Sequence, residues 1–560
     1  MLLSKHFLRL SLLRKMCTTK GQDFLEVKEG SAKILVPREE SVFYNPIQQF
    51  NRDLSVMVIK AWSEIYSESQ EKRKDDNIKK RKLDCTTETV EPQKSQTETN
   101  IKVFEEGDFI KILEALSATG LRALRYGHEV PKVKKVIAND MLSEAVKSIE
   151  KNISYNSLNG KVILNIGDAI KYMASTSEKF HVIDLDPYGT ATPFIDGAFQ
   201  AIKDDGLLMI TCTDAGVLAG SGYPEKCFAL YGGHNFGNSN MSSEANHEAG
   251  IRLILSMVAA TGAKYKKAIE PLLSLSVDFY FRIFVKVNTR PSEVKQLANK
   301  TMLTYHCTGC GDKINQPLGR TSLSEKSNLK YQVPKLTIMG SQCAYCEGHY
   351  NLAGPLWAGK LHDKVFINKV LDINNSSDHN TYHTKERIKG MLTLASHELD
   401  VPYYFNLNQL SSLFKAPPIP IDTFLRGLGN LGFEASLTHA KRNCIKTAAP
   451  WDVVLKLNKG WLIESNKRLV ESYKNKLKSD PSNEKVKSKI NFYEENPSGN
   501  PNLTSGMSGY RIIEKLADFD CHFDFESNNK TSSNILQLRK IKLLRYQENP
   551  SNWGPKSKPK

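Results

Sequence analysis

HVIDLDPYGTATPF, the stretch from His181 to Phe194, decides the fold. It begins as a nearly continuous apolar run and ends in an acid, a proline and an aromatic residue, Asp186, Pro187 and Tyr188. A short apolar run of this kind is typical of a strand buried on both faces, as in a parallel sheet. Open parallel sheets bind their ligands beyond the carboxyl ends of the strands, so this polar ending is expected at a functional edge.

Strands and helices alternate on both sides of this stretch. This alternation predicts a parallel sheet with helices on both faces. The five predicted strands are Phe109–Leu116, Val133–Asp140, Lys161–Ala169, Phe180–Asp186 and Gly206–Asp214. Further on, LLSLSVDFY and RIFVKVN lie too close together for a helical crossover, so they predict an antiparallel hairpin. A parallel sheet ending in an antiparallel pair favours an α/β, Rossmann-like sheet of the class I methyltransferase type over a plain dinucleotide-binding fold.

Polar residues follow the second and third strands where a nucleoside cofactor would bind. Asp140 ends the second strand and could accept hydrogen bonds from ribose hydroxyls. Asp168 and Ala169 end the third strand and could meet an adenine ring. The alternative is that each acid caps the helix that follows it. Together, acids at the ends of the second, third and fourth strands favour a nucleoside cofactor.

The segment LSATGLR follows the first strand and supplies small residues at the same edge. It lacks the G-x-G-x-x-G pattern of dinucleotide sites. Its small side chains would let a ligand approach the start of the next helix, which attracts negative groups. Such a turn suits an amino-acid carboxylate, like that at the methionine end of S-adenosylmethionine.

The ending Asp186-Pro187-Tyr188 is suited to chemistry on a planar amine. A carboxylate held against the N–H groups of an exocyclic amine raises electron density on a poor nucleophile and can accept its proton. The proline stiffens the turn, and the aromatic ring can stack on a base. The alternative is a strand-end turn in which Asp186 caps a helix. Asp184 competes for the acid's role, but alternation places it two residues deeper in the strand.

Four cysteines form two Cys-x-x-Cys pairs with the spacing of a structural zinc site: Cys307, Cys310, Cys343 and Cys346. Four sulfur ligands would close the site, so the predicted Zn²⁺ is structural rather than catalytic. The flanking His306 and His349 leave a mixed ligand set open. The alternatives are an iron–sulfur cluster and four incidental thiols.

Length and charge indicate a multidomain protein with a polyanionic partner. The chain has 560 residues and a formal net charge of +16, which favours nucleic acid as the partner. No run of about 18 apolar residues occurs, so no membrane span is expected. Residues 1–20 are basic, free of acids and interleaved with leucines, a pattern typical of a mitochondrial transit segment. Met16 offers a second start, and the basic run Lys72–Lys82 is either a solvated cluster or a nuclear signal.

Composition divides the chain into six segments. Residues 1–20 form the transit segment, 21–66 an N-terminal hairpin and helix, 67–100 a disordered polar insertion, and 101–289 the methyltransferase-type domain. Residues 290–462 form an α+β, zinc-containing C-terminal domain with a winged-helix-like unit, in which AAPWDVVLKL is predicted to be a strand. Residues 463–560 form a basic, partly flexible extension that could lie on a phosphate backbone.

Together these motifs resemble the tRNA guanine-26 N2-dimethyltransferase family over nearly the whole chain. The stretches that carry the resemblance are VFYNP, FNRD, LSATGLRALRY, AND, GDA, IDLDPYGT, TCTDAGVLAG, HEAGIRLIL, YYFNLNQL and IKTAAPW. The resemblance implies that Arg52 reaches the methionine carboxylate of S-adenosylmethionine. It also implies that Arg122, Asp140, Asp168, Ala169 and Phe43 contact this cofactor, with Tyr44 nearby, and that Asp186 is the catalytic-loop acid.

The implied reaction is the transfer of one or two methyl groups from S-adenosylmethionine to N2 of guanosine 26 in tRNA. The implied partner is tRNA, bound through the C-terminal region, with no obligate protein partner, in the mitochondrion and the nucleus. The chain departs from the family pattern in three ways: Tyr188 stands where archaeal relatives usually have Phe, the Ser67–Asn100 insertion and the basic tail are absent from compact relatives, and the four-cysteine site is not universal in the family. The rival functions are an NAD-dependent oxidoreductase, a non-catalytic RNA-binding protein or chaperone, and a methyltransferase acting on a different RNA guanine.

Overall fold

A computed structural model describes residues 24–37, 44–84, 107–220, 222–238, 241, 243–325, 328–337, 340–517 and 522–541. The first described elements are the antiparallel strands β1 (Phe24–Glu29) and β2 (Ala32–Pro37) and the long helix α1 (Gln49–Asp84). The predicted hairpin and helix are therefore confirmed. The prediction that order is lost at Ser67 is wrong at its start, because the helix continues to Asp84; the rest of the proposed insertion, with residues 1–20, lies outside the described residues.

A seven-stranded sheet forms the centre of the molecule. Its strands are β3 (Ile110–Glu114), β4 (Val133–Asp140), β5 (Val162–Ile166), β6 (Phe180–Leu185), β7 (Ile202–Cys212), β8 (Lys267–Val277) and β9 (Tyr280–Thr289). They lie in the order β5-β4-β3-β6-β7-β9-β8. The first five are parallel, and β9 pairs antiparallel with both β7 and β8. The predicted Rossmann-like, methyltransferase-type sheet is confirmed.

Helices cover both faces of this sheet because successive strand residues point to opposite sides. They are α2 (Leu121–Glu129), α3 (Ser143–Tyr155), α4 (Ala169–Ser175), α5 (Thr192–Ala201), α6 (Ala215–Leu218), α7 (Pro224–Tyr231) and α8 (Asn246–Lys264). On β6, Val182 belongs to one core with α1, α2 and α3, whereas Ile183 and Leu185 belong to the other with α4, α5 and α8. The strand ends therefore emerge between two packed helical layers.

The segment that carries the cysteines packs on this body. It contains α9 (Pro291–Val294), β10 (Thr301–Cys307), β11 (Lys313–Pro317), β12 (Arg320–Leu323), β13 (Leu329–Gln332), β14 (Tyr350–Trp357), α10 (Lys364–Ser376) and α11 (Lys385–His397). Phe366 and Ile367 of α10 lie in the same hydrophobic core as Leu54 of α1. The predicted domain boundary between residues 289 and 290 therefore does not separate two cores.

The last part of the chain forms a third core around a small sheet. Its elements are β15 (Phe405–Asn406), α12 (Leu407–Leu413), α13 (Ile421–Asn430), β16 (Ala435–Leu437), β17 (Cys444–Thr447), α14 (Trp451–Ser479), α15 (Glu484–Glu495), α16 (Ser508–Lys515) and α17 (Lys530–Lys540). Two helices leading into a β-hairpin agree with the winged-helix-like prediction.

Two predictions for this last part are wrong. AAPWDVVLKL is not a strand, because helix α14 begins at Trp451. The proposed boundary at residue 463 falls inside the same helix, and α14–α17 give the basic extension regular structure. Within the described parts of the chain, every helix is too short or too polar to span a bilayer.

Candidate cofactor and active site

A cavity of about 370 Å³ opens at the carboxyl ends of β3, β4 and β6. This volume falls in the range of small-molecule sites. Residues from the helix α1 side, from three strand ends and from the loop after β7 line it: Tyr44, Asn45, Gln48, Arg52, Glu114, Ser117, Ala118, Arg122, Asp140, Met141, Leu142, Asp186, Pro187, Tyr188 and Thr213. Of the predicted site residues, Arg52, Arg122, Asp140, Asp186, Pro187 and Tyr188 are therefore brought together.

The loop between β3 and α2 is tightly wound against β4. Ala118 adopts a positive φ of 50°, and Gly120 a positive φ of 77°. Residues with side chains rarely adopt this conformation, so Ala118 needs support from its surroundings. Its backbone N–H donates to Asp140 Oδ2 at 2.9 Å, and Leu142 N–H donates to Asp140 Oδ1 at 3.0 Å. Asp140 thus holds the loop and the approach to α3, but it does not cap that helix, whose N-cap is Leu142 without a side-chain capping bond.

Asn139, the middle residue of the AND stretch, fastens three neighbouring strand ends. Its Nδ2 donates to the carbonyl oxygens of Ala115 at 2.9 Å and Gly167 at 3.1 Å. Its Oδ1 accepts from Asn165 Nδ2 at 2.6 Å. The floor of the cavity is consequently a set of hydrogen-bonded strand ends, which keeps the loops above it in register.

Arg122 connects the two acids of the DLD stretch. One guanidinium nitrogen donates to Asp186, while the other lies 3.6 Å from the carboxylate of Asp184. Asp184 also accepts from Tyr126 Oη at 2.6 Å and from Arg282 at 2.9 Å. Burial alone would raise the pKa of Asp184, but Arg282 and Arg122 hold it below its usual value. Asp184 is therefore locked in a buried network, as predicted for the structural acid of the pair.

The loop that follows Asp186 is fixed by the end of β7. Gly189 N–H donates to Thr213 Oγ1 at 2.7 Å, and Thr213 N–H donates to the Gly189 carbonyl at 2.8 Å. Gly189 has a φ of 81°, a conformation that glycine adopts without strain. The Tyr188 side chain remains 58% exposed at the mouth of the cavity. A planar ligand can therefore reach Asp186 and Tyr188 from outside.

Arg52 lies in the wall of the cavity with an acid partner that the sequence did not reveal. It donates to both carboxylate oxygens of Glu29, at 2.6 and 2.5 Å, and to the carbonyl of Asn45 at 3.0 Å. Glu29 ends β1 and also accepts from Arg125 at 2.9 Å. Burial opposes the charge on Glu29, yet Arg52 and Arg125 hold its pKa below the usual value. The hairpin thus contributes a residue that orients the predicted cofactor arginine.

Glu114 is a second wall residue that was not predicted. It ends β3, is buried, and its Oε2 accepts from Ser117 Oγ at 2.6 Å and from Ala123 N–H at 3.0 Å. Burial raises the pKa of Glu114 to about 8. An acid at the end of the mostly apolar strand FIKILEAL was the available signal for this residue.

Three predicted cofactor residues either do not line the cavity or lie outside the described residues. Asp168 accepts from Ile170 N–H at 2.8 Å and is the N-cap of α4. The structure therefore displays the helix-capping role that was the alternative to cofactor binding. Ala169 is buried in the first turn of that helix. Neither residue lines the cavity, and Phe43 lies outside the described residues; their contacts with a cofactor stay predictions.

The four cysteines lie together in a buried cluster at the end of β10, where Cys307 pairs with Tyr350 at the start of β14. Their sulfur atoms all lie within 4.8 Å of one another, with Cys307–Cys346 at 3.4 Å and Cys310–Cys343 at 3.6 Å. Zinc–sulfur bonds of about 2.3 Å in a tetrahedron require sulfur atoms about 3.8 Å apart, so the arrangement fits Zn²⁺ closely. His306 instead lies against the ring of Phe236 at 5.2 Å, and burial lowers its pKa to about 2. All-sulfur ligation is compatible with a structural ion.

The cavity has the groups that S-adenosylmethionine requires. A carboxylate has about four lone-pair positions, so Asp140 can accept from ribose hydroxyls in addition to its two backbone donors. Met141 and Leu142 expose apolar surface beside it. Arg52 and Arg122, each already paired with an acid, are the lining cations that an amino-acid carboxylate would meet.

The sheet topology and this cavity define a class I methyltransferase that uses S-adenosylmethionine. The sequence family described as "N2,N2-dimethylguanosine tRNA methyltransferase" matches residues 21–459. The chain therefore belongs to this family.

Individual relatives resemble the chain over most of its length. A Saccharomyces cerevisiae protein named "tRNA (guanine(26)-N(2))-dimethyltransferase, mitochondrial" is 48% identical, covering 96% of this chain and 93% of that protein. The Homo sapiens "tRNA (guanine(26)-N(2))-dimethyltransferase" is 32% identical, covering 95% of this chain and 77% of that protein. The solved structure of "Trm1 from Pyrococcus horikoshii with S-adenosyl-L-Methionine" has a TM-score of 0.57 at 26% identity, covering 77% of this chain and 99% of that chain.

Proposed function

We propose that this protein transfers one or two methyl groups from S-adenosylmethionine to N2 of guanosine 26 in tRNA. The observation that carries the proposal is the Asp186-Pro187-Tyr188 loop, which lines the mouth of the cofactor cavity beside Arg122. The names of the relatives specify the nitrogen and the position in tRNA, which a planar-amine site alone leaves open.

Asp186 is the candidate catalytic carboxylate. The exocyclic nitrogen of guanine is a poor nucleophile because its lone pair is delocalised into the ring. A carboxylate that accepts hydrogen bonds from this amine increases its electron density, and it can take the proton that the nitrogen loses as the new bond forms. When bound, S-adenosylmethionine supplies an electrophilic methyl group on its sulfonium sulfur.

Tyr188 and Pro187 are candidates for holding the base. The exposed tyrosine ring can stack on a purine, a contact worth about 1–3 kcal/mol per base. Pro187 restricts the turn, and the two hydrogen bonds between Gly189 and Thr213 keep it in place. A guanosine inside a folded tRNA must first leave its stack to reach this loop.

The cofactor is held from two sides in this proposal. Asp140 accepts from the ribose hydroxyls, and Arg52 and Arg122 face the methionine carboxylate. Asp168 and Ala169 contribute to the adenine end, together with the segment around Phe43. Helices α14 and α15 carry many lysines and are the candidates for gripping tRNA phosphates by shape rather than by sequence.

The test is mass spectrometry of modified nucleosides after tRNA is incubated with the protein and S-adenosylmethionine. We expect N2-methylguanosine and N2,N2-dimethylguanosine to appear in a tRNA transcript with guanosine at position 26. A transcript with adenosine at this position is the matched control and should stay unmodified. Equal methylation of both transcripts would contradict the position, and tRNA binding without methylation would support the non-catalytic alternative.

The protein is further proposed to act in the mitochondrion and the nucleus. The basic, acid-free residues 1–20 and the mitochondrial relative support delivery to the mitochondrion. Translation from Met16 would omit most of this segment and leave a nuclear form. A fluorescent fusion that starts at Met16 should lose mitochondrial delivery, whereas the full-length fusion should retain it. Unchanged import of the shorter fusion would contradict the transit role.

A further inference from the structure

A second cavity, of about 360 Å³, lies between the catalytic body and the winged-helix-like unit. Its lining residues come from the start of α8, from the end of β8 and from the turn between β16 and β17: Glu244, His247, Ser276, Asp278, Ala440, Lys441 and Arg442. None of these residues belongs to the cofactor cavity. The two cavities are therefore separate sites.

Both cavities open at the same edge of the sheet. β9 runs antiparallel to β7 with Phe281 opposite Cys212, so the turn between β8 and β9 lies at the end of β7. Three strand spacings separate β6 from β8 in the sheet order, which amounts to about 14 Å. Phe279, in the turn between β8 and β9, is exposed along this edge, as is Tyr188. An RNA strand whose target base enters at Asp186 can thus place a neighbouring nucleotide in the second cavity.

Two acids and two cations line the second cavity, and Arg387 behind Asp278 brings the local net charge to about +1, which favours an anion. Asp278 is paired with Arg387 at 2.7 Å, and Glu244 with Lys441 at 3.5 Å. Arg442, the neighbour of Lys441 in the same turn, is an exposed residue. Burial lowers the pKa of His247 to about 3, so this ring is neutral at physiological pH. Helix α8 begins at Asn246 beside the cavity, and its first N–H groups add positive potential.

The turn that carries Lys441 and Arg442 is anchored to the catalytic sheet before any ligand arrives. Ser276 N–H donates to His439 Nε2 at 3.1 Å, so Nδ1 carries the proton and donates to Glu398 at 2.6 Å. Glu398 also accepts from His439 N–H at 2.5 Å, and its other oxygen lies 3.2 Å from Lys446 Nζ. Burial opposes ionisation of Glu398, but His439 and Lys446 hold its pKa well below the usual range.

We propose that this second cavity binds the phosphodiester backbone of the tRNA beside the target guanosine, with Lys441 and Arg442 as the phosphate-contacting residues. The proposal rests on the function proposed above. Its physical basis is the pre-formed turn, since a backbone segment anchored by a buried network loses little conformational entropy when it binds. A phosphate held here positions the strand, while Asp186 and Tyr188 act on the base.

The test compares tRNA binding by the full-length protein and by two double variants at several salt concentrations. Lys441→Ala/Arg442→Ala should weaken tRNA binding about tenfold and reduce the slope of log K against log salt by about one to two, because contacts to phosphate are lost. Affinity for S-adenosylmethionine should stay unchanged, because neither residue lines the cofactor cavity. Arg442→Ala alone, at an exposed position, should show about half of the change in slope.

The control is Lys134→Ala/Lys161→Ala, which removes the same charge at the opposite edge of the sheet, near the starts of β4 and β5. It should leave the salt slope unchanged. An active wild-type protein whose Lys441/Arg442 variant binds tRNA with the wild-type slope would overturn the cavity proposal. An inactive wild-type protein would instead overturn the proposed function, so the two failures are distinguishable.

Discussion

At the residue scale, exposure separates two acids that share one arginine. Asp184 and Asp186 both face Arg122, yet the Asp184 side chain is fully buried and the Asp186 side chain is 23% exposed. Asp184 is committed to Tyr126 and Arg282. Asp186 has one described hydrogen-bond partner, Arg122, so lone pairs of its carboxylate remain for the amine in the proposed reaction. The positions of the two acids in the strand could be predicted from the alternation of residues. Their hydrogen-bond partners could not, because those residues lie far away in the chain.

Substitution of the two acids should have opposite consequences. Asp186→Asn should lower the methylation rate by about 10²–10⁴-fold, the range for loss of a general base, while tRNA binding and thermal stability remain close to wild type. Asp184→Asn should reduce stability by about 3–5 kcal/mol, because it leaves the buried Arg282 without its counter-charge. Single-turnover methylation and thermal unfolding of both variants provide the measurement. Full activity of Asp186→Asn would contradict the catalytic role.

Glu114 should make stability depend on pH. The folded protein keeps this buried carboxyl protonated up to a pKa of about 8, whereas in the unfolded chain it ionises near its ordinary value. Between these two values the folded state binds more protons, so the contribution of Glu114 to stability falls as pH rises. Glu114→Gln retains an oxygen acceptor and removes the titration. Thermal unfolding from pH 5 to 8.5 should show an advantage of the variant that grows with pH.

A constant difference between Glu114→Gln and wild type across this pH range would contradict that pKa. Asp196→Asn, on the exposed side of α5, is the control and should show no such trend. Glu114 and Glu29 are also two acids of the cofactor site that the sequence analysis did not predict. An acid within an apolar strand can be noticed, but the pairing of Glu29 with Arg52 depends on how the hairpin folds over α1.

At the element scale, the length of the sequence window decides whether a hydrophobic pattern predicts a strand or a helix. Over AAPWDVVLKL, two adjacent valines favour a strand. The buried positions of α14, however, recur at helical spacing along Val454, Leu457, Trp461 and Leu462, and continue beyond the predicted segment. Pro450 is the N-cap residue, directly before the helix, where its fixed φ is tolerated. The sheet strands were predictable because each apolar run is short and bounded.

The two cysteine knuckles should act as a clamp between elements. Arg511 and Lys515 of α16 donate to the carbonyls of Cys346 and Ala344, at 3.3 and 3.0 Å. Cys343→Ser should therefore remove about one equivalent of bound zinc, lower the unfolding temperature and expose the knuckle to proteolysis. Binding of S-adenosylmethionine should persist, because the cofactor cavity is built from other elements.

Cys227→Ala is the matched control, since this buried thiol lies outside the four-cysteine cluster. Metal analysis should find its zinc content equal to wild type. A Cys343→Ser protein that retains its zinc and its proteolytic resistance would show that the cluster does not clamp α16.

At the scale of the whole molecule, one hydrophobic core crosses the predicted domain boundary. Helix α10 belongs to the segment that composition assigned to a C-terminal domain, yet it packs on α1 and β8 of the catalytic body. Amino-acid composition could not predict this packing, because a hydrophobic core is formed by contacts between segments that lie far apart in the sequence. The cofactor cavity consequently depends on residues after 289, since the first turn of α1 carries Arg52.

Phe366→Ala tests this shared core without truncating the chain. Phe366 is 3% exposed and packs in the core with α1, so its loss should lower the free energy of unfolding by about 3–5 kcal/mol. Val365, its neighbour on α10, is 78% exposed, and Val365→Ala should change stability by less than about 0.5 kcal/mol. Denaturant unfolding, followed by S-adenosylmethionine binding, measures both effects. In Phe366→Ala the cofactor should be lost in the same transition that unfolds α10, because α1 connects that helix to Arg52. Loss of α10 at lower denaturant, with cofactor binding intact, would mean that the boundary at 289 separates independent domains after all.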